Sequence, residues 1–193
     1  MSNLQDLLKV EVISVEELRA WLAANHAQTS SIWLVTYKKN VPEKYVSIQQ
    51  VLDEVLCFGW MDGRRMKLDD DRTMQLLSPR KTEHWSKTYK DRVAKLTAAG
   101  RMHESGIKVV EAAKQSGAWD FLNDVDALIA PDDLVEALTQ HPPALANYEA
   151  FPDSAKRDIL RWIKLAKKPE TRIKRIQKTA DLAAQDQRAS GTR

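Results

Sequence analysis

The sequence predicts an α+β fold: a small antiparallel sheet packed with helices, followed by an all-helical C-terminal part. Strand-like runs, rich in β-branched and aromatic residues, occur only in the first half of the chain, where they alternate with helical patterns. Beyond Pro131, apolar residues recur at helical spacing, and no further strand-like run follows.

Two capping boxes and three strand-like runs organise the first half of the chain. Ser14 with Glu17, and Ser47 with Gln50, have the spacing of a capping box. In this motif the hydroxyl accepts the backbone N–H three residues later, and the carboxylate or amide of that later residue accepts the backbone N–H of the serine. The run SIWLVTYKK is typical of a strand, and the turn DDDR separates two further strands. The predicted elements are helices over Val15–Asn25 and residues 48–58, and strands over residues 31–39, 60–68 and 73–78.

From Ser86 onward, apolar spacing predicts helices that are separated by glycine and proline. Gly100 and Gly117 end two of them, while Pro131 and Pro169 suit the first position of later ones. We therefore expect an α+β domain over residues 1–122, a helical domain over 131–185, a seam at 123–130 and a disordered tail over 186–193. The apolar residues that mark these helices are Tyr89, Val93 and Leu96; Ile107, Val110 and Ala113; Leu134 and Leu138; Ile159, Trp162, Ile163 and Ala166; and Ile173, Ile176, Ala180 and Ala183.

Composition narrows the class of protein. With 193 residues and 43% hydrophobic content, the chain can bury a core that is stable without disulfides or structural metal ions. Its single cysteine excludes an intramolecular disulfide, and the four histidines have no zinc-site spacing. The N-terminal residues lack a secretory pattern, and about 20 consecutive apolar residues, the length of a membrane span, occur nowhere. We expect a cytoplasmic protein without membrane insertion.

A charged and aromatic stretch, residues 57–87, is the predicted working surface. Side chains alternate along a strand, so Trp60, Asp62 and Arg64 share one face. An antiparallel hairpin would return Arg80 to the start of the first strand, close to the beginning of the next helix. The sequence therefore predicts a cleft that binds an anionic or aromatic ligand, lined by Trp60, Asp62, Arg64, Arg80, Lys81, Trp85 and Lys87.

The same residues also suit purely structural roles, and both interpretations stay open at this stage. Trp60 and Trp85 are typical of core packing. Asp62 could simply pair with Arg64 or Arg80 and add little stability.

Catalytic chemistry has a weak signal in the sequence. Cys57 ends an apolar helix and has no histidine nearby in sequence, so we interpret it as a small buried hydrophobe. His84 could act as an acid or a base, although nothing beside it indicates a reaction. The acidic turn at residues 69–71 lacks the further spaced oxygens of a calcium loop. We assign no catalytic residue, no metal and no cofactor, and an enzyme is the third hypothesis.

The uneven charge supports a second hypothesis, nucleic-acid binding. The chain has a net charge of only +3, but residues 156–178 hold ten Lys/Arg and two acidic residues. Such a segment could follow a nucleic-acid backbone, or it could be the solvated face of packed helices. The residues predicted for this role are Arg161, Lys164, Lys168, Arg172 and Arg175.

Several long blocks resemble a known family. FGWMDG at residues 58–63 and SPRKTEHWSK at residues 78–87, followed by blocks at 117–119, 151–152, 161–163 and 166–172, are similar to the bacteriocin-protection family, also called YdeI/OmpD-associated. The resemblance extends over nearly the whole chain, with one departure at Tyr89, where the family more often has a small polar residue.

The resemblance implies a small cytoplasmic protein that is linked to protection against bacteriocins or cationic peptides. It implies no particular reaction and supplies no catalytic residues. Together with the charged stretch, it favours a non-enzymatic binding protein of stress or bacteriocin protection. The ligand and the oligomeric state stay open.

Overall fold

A computed structural model describes residues 6–81 and 84–189 of the chain. It divides into two compact units, Met1–Asp120 and Phe121–Arg193. The first unit contains a sheet and helices, while the described part of the second contains helices alone. The predicted α+β class is confirmed.

The first unit alternates helices with strands before it ends in two helices. A short 3₁₀ turn, Pro42–Lys44, precedes the second helix. The elements are β1 (Lys9–Glu11), α1 (Val15–Asn25), β2 (Ile32–Tyr37), α2 (Ile48–Cys57), β3 (Trp60–Lys67), β4 (Arg72–Pro79), α3 (Lys87–Ala98) and α4 (Glu104–Gln115).

The sheet is mixed, and this corrects the wholly antiparallel sheet that the sequence predicted. Its strand order is β1-β2-β4-β3. Strands β2 and β3 both run antiparallel to β4, whereas β1 runs parallel to β2, with Val10 opposite Leu34. The three residues of β1 are too few to show strand periodicity, which is why the sequence did not reveal this strand.

Both predicted helix caps form. The Ser14 hydroxyl accepts the Glu17 N–H at 3.2 Å. At α2 the capping box is complete, because the Ser47 hydroxyl accepts the Gln50 N–H at 3.2 Å and the Gln50 amide accepts the Ser47 N–H at 2.9 Å. Gly59 follows α2 with a φ of +75°, a left-handed conformation that favours glycine. These local signals set the ends of α2 and the start of β3.

The end of α2 and the start of α4 are in direct contact. A Cβ atom at Gly106 would lie 2.2 Å from the Cys57 carbonyl oxygen, so only glycine permits this approach. The same oxygen accepts the His103 N–H at 3.0 Å. Helix α4 is therefore held against α2 by its backbone.

A fully buried carboxylate lies beneath these helices. Glu54 on α2 has no exposed surface, and its Oε2 accepts a hydrogen bond from Arg19 Nη1 at 2.9 Å. Its Oε1 accepts a hydrogen bond from Arg101, which lies in the turn between α3 and α4. Arg19 also donates to the Arg101 carbonyl oxygen at 2.9 Å. This arrangement, the Glu54 triad, joins α1, α2 and the α3–α4 turn.

The second unit contains five helices within its described residues. Its core includes Leu134, Leu138 and Ile159, none of which exposes any surface. Ala189, within the predicted tail, is also buried, and residues 190–193 lie outside the described residues. The helices are α5 (Asn123–Asp126), α6 (Asp132–Thr139), α7 (Ala144–Ala150), α8 (Asp153–Lys164) and α9 (Pro169–Ala184).

No helix in the described part of either unit combines the length and the apolar character needed to cross a membrane.

The Glu54 triad gives a stability prediction. Replacing both Arg19 and Arg101 with glutamine leaves a buried carboxylate without a cation, so we expect the free energy of unfolding to fall by about 3–5 kcal/mol. Adding Glu54→Gln removes the uncompensated charge and should restore part of that loss. Urea unfolding of the three proteins measures both effects. A triple variant no more stable than the double variant would contradict the role given to the triad.

Candidate functional site

The β3–β4 hairpin brings the two predicted Trp/charge blocks together. Trp60 lies opposite Pro79, and the Arg80 N–H donates to the Gly59 carbonyl at 3.0 Å. The register shifts between Asp62 and Arg65, a stretch that contains Gly63. The hairpin geometry on which the predicted site depended is therefore present.

Arg80 is the centre of the contacts between the two blocks. Its guanidinium carbon lies 3.8 Å from the centroid of a Trp85 ring and 5.2 Å from that of Tyr89. Its Nη2 donates to the His84 carbonyl at 3.3 Å. A guanidinium stacked this closely on an indole gains attraction from the ring quadrupole. Thr82 and Glu83, within the predicted block, lie outside the described residues.

The two tryptophans themselves are core residues. Trp60 exposes 1% of its surface, contacts Trp21 edge-on at 5.9 Å, and donates from its indole nitrogen to the His26 carbonyl at 3.1 Å. Trp85 exposes 2% of its surface, and its ring centroid lies 5.0 Å from that of Trp119. Neither indole has the exposed face that the wall of an open cleft requires. Packing from α1 and from the segment after α4 buries them.

The remaining residues of the predicted cleft have different contacts. The Asp62 carboxylate accepts hydrogen bonds from the Tyr89 hydroxyl at 2.7 Å and from the Gln75 amide at 3.2 Å. The Tyr89 position, at which the chain departs from the resembled family, is thus engaged with the sheet. Of the other three, Arg64 has its guanidinium carbon 5.7 Å from the centroid of a Trp33 ring, Lys87 pairs with Asp91 at 2.7 Å, and Lys81 is exposed.

A groove with the size of a ligand pocket lies between α3 and α4. Its volume is about 530 Å³, and its walls are mostly apolar, with Trp119 at its border. The Trp119 ring lies next to that of the predicted site residue Trp85, with an angle of 43° between the two ring planes. The lining residues of this α3–α4 groove are Lys90, Val93, Ala94, Thr97, Ala98, Met102, Ile107, Val110, Glu111, Lys114 and Trp119.

Two lysines lie beside the tryptophan of this groove. Lys90 Nζ is 5.6 Å and Lys114 Nζ is 5.3 Å from the centroid of a Trp119 ring. The groove thus combines an apolar surface, an aromatic ring and two cations, the chemistry that the sequence assigned to the hairpin. The spacing of positions 90, 93, 94, 97 and 98 on one helix face could have indicated it, but such a stripe is ordinarily a core face.

Three of the five cations predicted for nucleic-acid binding make contacts within the second unit. Lys164 pairs with Asp124 at 2.6 Å, and Arg172 binds both oxygens of Asp133 at 2.7 and 2.8 Å. Arg175 donates to the Trp162 carbonyl and lies over its ring. The other two, Arg161 and Lys168, are exposed.

The pKa values of Asp124 and Asp133, the acidic partners of these cations, lie below their ordinary values. Arg172 donates hydrogen bonds that lower the pKa of Asp133, an effect that outweighs partial burial. Burial raises the pKa of Asp124, but hydrogen bonds from Lys164 and from the Val125 N–H together lower it below the ordinary value. Both pairs therefore stabilise the unit in their charged forms.

The cysteine and histidines of the first unit have burial, exposure or capping contacts that do not form a catalytic group. Burial raises the pKa of the Cys57 thiol, and the nearby Glu54 carboxylate raises it further. His84 is exposed. His103 caps α4 by accepting the Ser105 N–H at 3.2 Å, and its ring stacks on Phe58 at 4.7 Å. Within residues 6–81 and 84–189, no three His, Cys, Asp or Glu side chains are grouped to hold a metal ion.

These features define a protein with an α+β unit followed by a helical unit. Residues 10–109, just over half of the chain, match the family model described as Domain of unknown function (DUF8412), and the chain belongs to this family. Residues 127–186 match the model described as Bacteriocin-protection, YdeI or OmpD-Associated.

The sequence blocks that resemble the bacteriocin-protection family are distributed over both family matches. It is confirmed for the helical unit, where the blocks at 151–152, 161–163 and 166–172 lie within the bacteriocin-protection match. The blocks at 58–63 and 78–87 lie instead within the match to the domain of unknown function. No curated protein and no solved structure matches the chain.

The Asp133–Arg172 pair gives a pH prediction for the helical unit. Because the pKa of Asp133 lies below its ordinary value of 3.8 when folded, its stabilisation is present above that pH and is lost as the pH falls through the folded value. Asp133→Asn should therefore lower the free energy of unfolding at pH 7 by about 1 kcal/mol or less, since both side chains are partly exposed.

Urea unfolding at pH 7 and near pH 2 measures this difference, with Asp132→Asn as the matched control. We expect the deficit of the Asp133 variant to disappear at the lower pH. A deficit of the same size at both values would contradict the assignment.

Proposed function

We propose that the protein binds a small amphipathic carboxylate in the α3–α4 groove. The observation that carries the proposal is the position of Trp119, which borders an apolar cavity and has Lys90 and Lys114 beside its ring. An aromatic or aliphatic body would pack along the apolar walls, and the carboxylate would lie near the two ammonium groups. This retains the ligand class predicted from the sequence and moves the site from the hairpin to the neighbouring helices.

The size and the chemistry of the groove support a small molecule. A volume of about 530 Å³ lies within the range of ordinary ligand pockets, roughly 300–1,000 Å³. Burial of a bicyclic ring against Val93, Ala94 and Val110 would provide the hydrophobic part of the binding energy. The lysines would add charge-assisted hydrogen bonds, which favour an acid over its alcohol.

The biological role that we propose is cytoplasmic and belongs to protection against bacteriocins or cationic peptides. The description of the family that matches residues 127–186 supports it. A net charge of +3 disfavours direct capture of a cationic peptide, so protection would act through the small ligand. The net charge therefore favours a protein that binds a small ligand over a protein that sequesters cationic peptides.

Nucleic-acid binding has less support. Among the described residues, Arg161 and Lys168 are the two of the five predicted cations whose side chains form no hydrogen bond or ion pair within the protein. Two phosphate contacts would give a slope of log K against log salt of only about −2. A steep slope in a binding assay with a DNA oligonucleotide would favour this function over the one we propose.

Binding of 2-naphthoate, followed by isothermal titration calorimetry, tests the proposal against 2-naphthalenemethanol. We expect Lys114→Gln to weaken binding of the acid by about tenfold while leaving the alcohol unaffected, because only the acid has a charge for the lysine to meet. Ala94→Trp should abolish binding of both compounds by filling the groove.

Lys108→Gln is the matched control, since Lys108 is an exposed lysine of the same helix that pairs with Glu104 outside the groove. It should bind both compounds like the parent protein. Retained binding in the Ala94→Trp variant, or an equal loss in the Lys108 and Lys114 variants, would overturn the proposed site.

A further inference from the structure

A second groove lies on the opposite face of α3. It is open between α2 and α3, has a volume of about 480 Å³, and is lined mainly by charged and polar side chains. Thr88, Arg92 and Lys95 recur at positions i, i+4 and i+7 of α3, so they share one face of the helix. Asp53 of α2 and Arg101 of the α3–α4 turn complete this α2–α3 groove.

Arg101 is held in place by the buried carboxylate of the triad. One edge of its guanidinium donates to Glu54, which is inaccessible to solvent, while 41% of the Arg101 side chain is exposed. A guanidinium has five N–H donors in a rigid fork, so the groups that do not face Glu54 remain available on the groove side. Arg101 is therefore pre-organised, and little rotamer entropy is lost when it meets an anion.

The charge of the groove is not balanced within the protein. The Glu54 triad contains two guanidinium groups and one carboxylate, so it carries an excess of one positive charge. Lys95 adds a second positive charge, because no carboxylate of the described residues lies within ion-pair distance of it. The other cation of the lining, Arg92, is neutralised by Asp53, and the Asp91 carboxylate of the lining is neutralised by Lys87.

From this excess we infer that the α2–α3 groove binds a small phosphate dianion, as inorganic phosphate or as a phosphate monoester. Arg101 and Lys95 would meet the charge, and the Thr88 hydroxyl would donate a hydrogen bond to a phosphate oxygen. The site is independent of the carboxylate site on the other face of α3.

Calorimetric titration with inorganic phosphate, and in parallel with phenyl phosphate, tests this inference at low ionic strength. Lys95 is exposed on its helix, so Lys95→Gln should fold like the parent, yet its phosphate affinity should fall by about tenfold. Lys108→Gln removes a comparable exposed lysine outside the groove and should leave phosphate binding unchanged. If phenyl phosphate binds more tightly than phosphate, the ligand is an ester; if equally, it is the free ion.

Two controls separate this site from the α3–α4 groove. Lys95→Gln should bind 2-naphthoate like the parent, and Ala94→Trp should bind phosphate like the parent. Absence of phosphate binding by the parent protein, or equal affinity in the Lys95 and Lys108 variants, would overturn the inference. Either outcome would leave the carboxylate site untouched.

Discussion

The buried Glu54 carboxylate is the constraint on which the arrangement of the first unit depends. A carboxylate without solvent contact is stable only where cations and hydrogen bonds compensate it, and Arg19 and Arg101 do so from two different elements. Their positions fix the α3–α4 turn against α1 and α2. The backbone contact between Gly106 and Cys57 fixes the start of α4 in the same direction. Helices α3 and α4 are thus held by polar contacts at their junction, and the space between them stays open.

Helix α3 consequently presents two faces with different chemistry. One face borders the apolar groove that ends at Trp119, and the other borders the charged groove that contains Arg101. Arg101 has two roles: it fixes the α3–α4 turn, and it contributes a positive charge to the charged groove. The structural role and the proposed binding role of this arginine therefore depend on the same buried partner.

The sequence predicted what is encoded locally. The caps at Ser14 and Ser47 and the hairpin that returns Arg80 to Gly59 were all predicted from neighbouring residues, and they are present, although only the Ser47 cap forms a complete capping box. The sequence left open whether Trp60 and Trp85 pack in the core or line a cleft, since their burial depends on Trp21 and Trp119, which are distant in sequence. Glu54 shows the same limit, because an acid in a helix ordinarily faces solvent and its two arginines are 35 and 47 residues away.

Amide chemical-shift mapping with ¹⁵N-labelled protein tests the central claim most directly, because it locates a bound ligand on the chain without any substitution. On titration with 2-naphthoate, the largest shifts should fall on residues of the α3–α4 groove, among them Ala94, Ile107 and Trp119. Shifts concentrated in α8 and α9, or in the β3–β4 hairpin, would contradict a ligand site between α3 and α4.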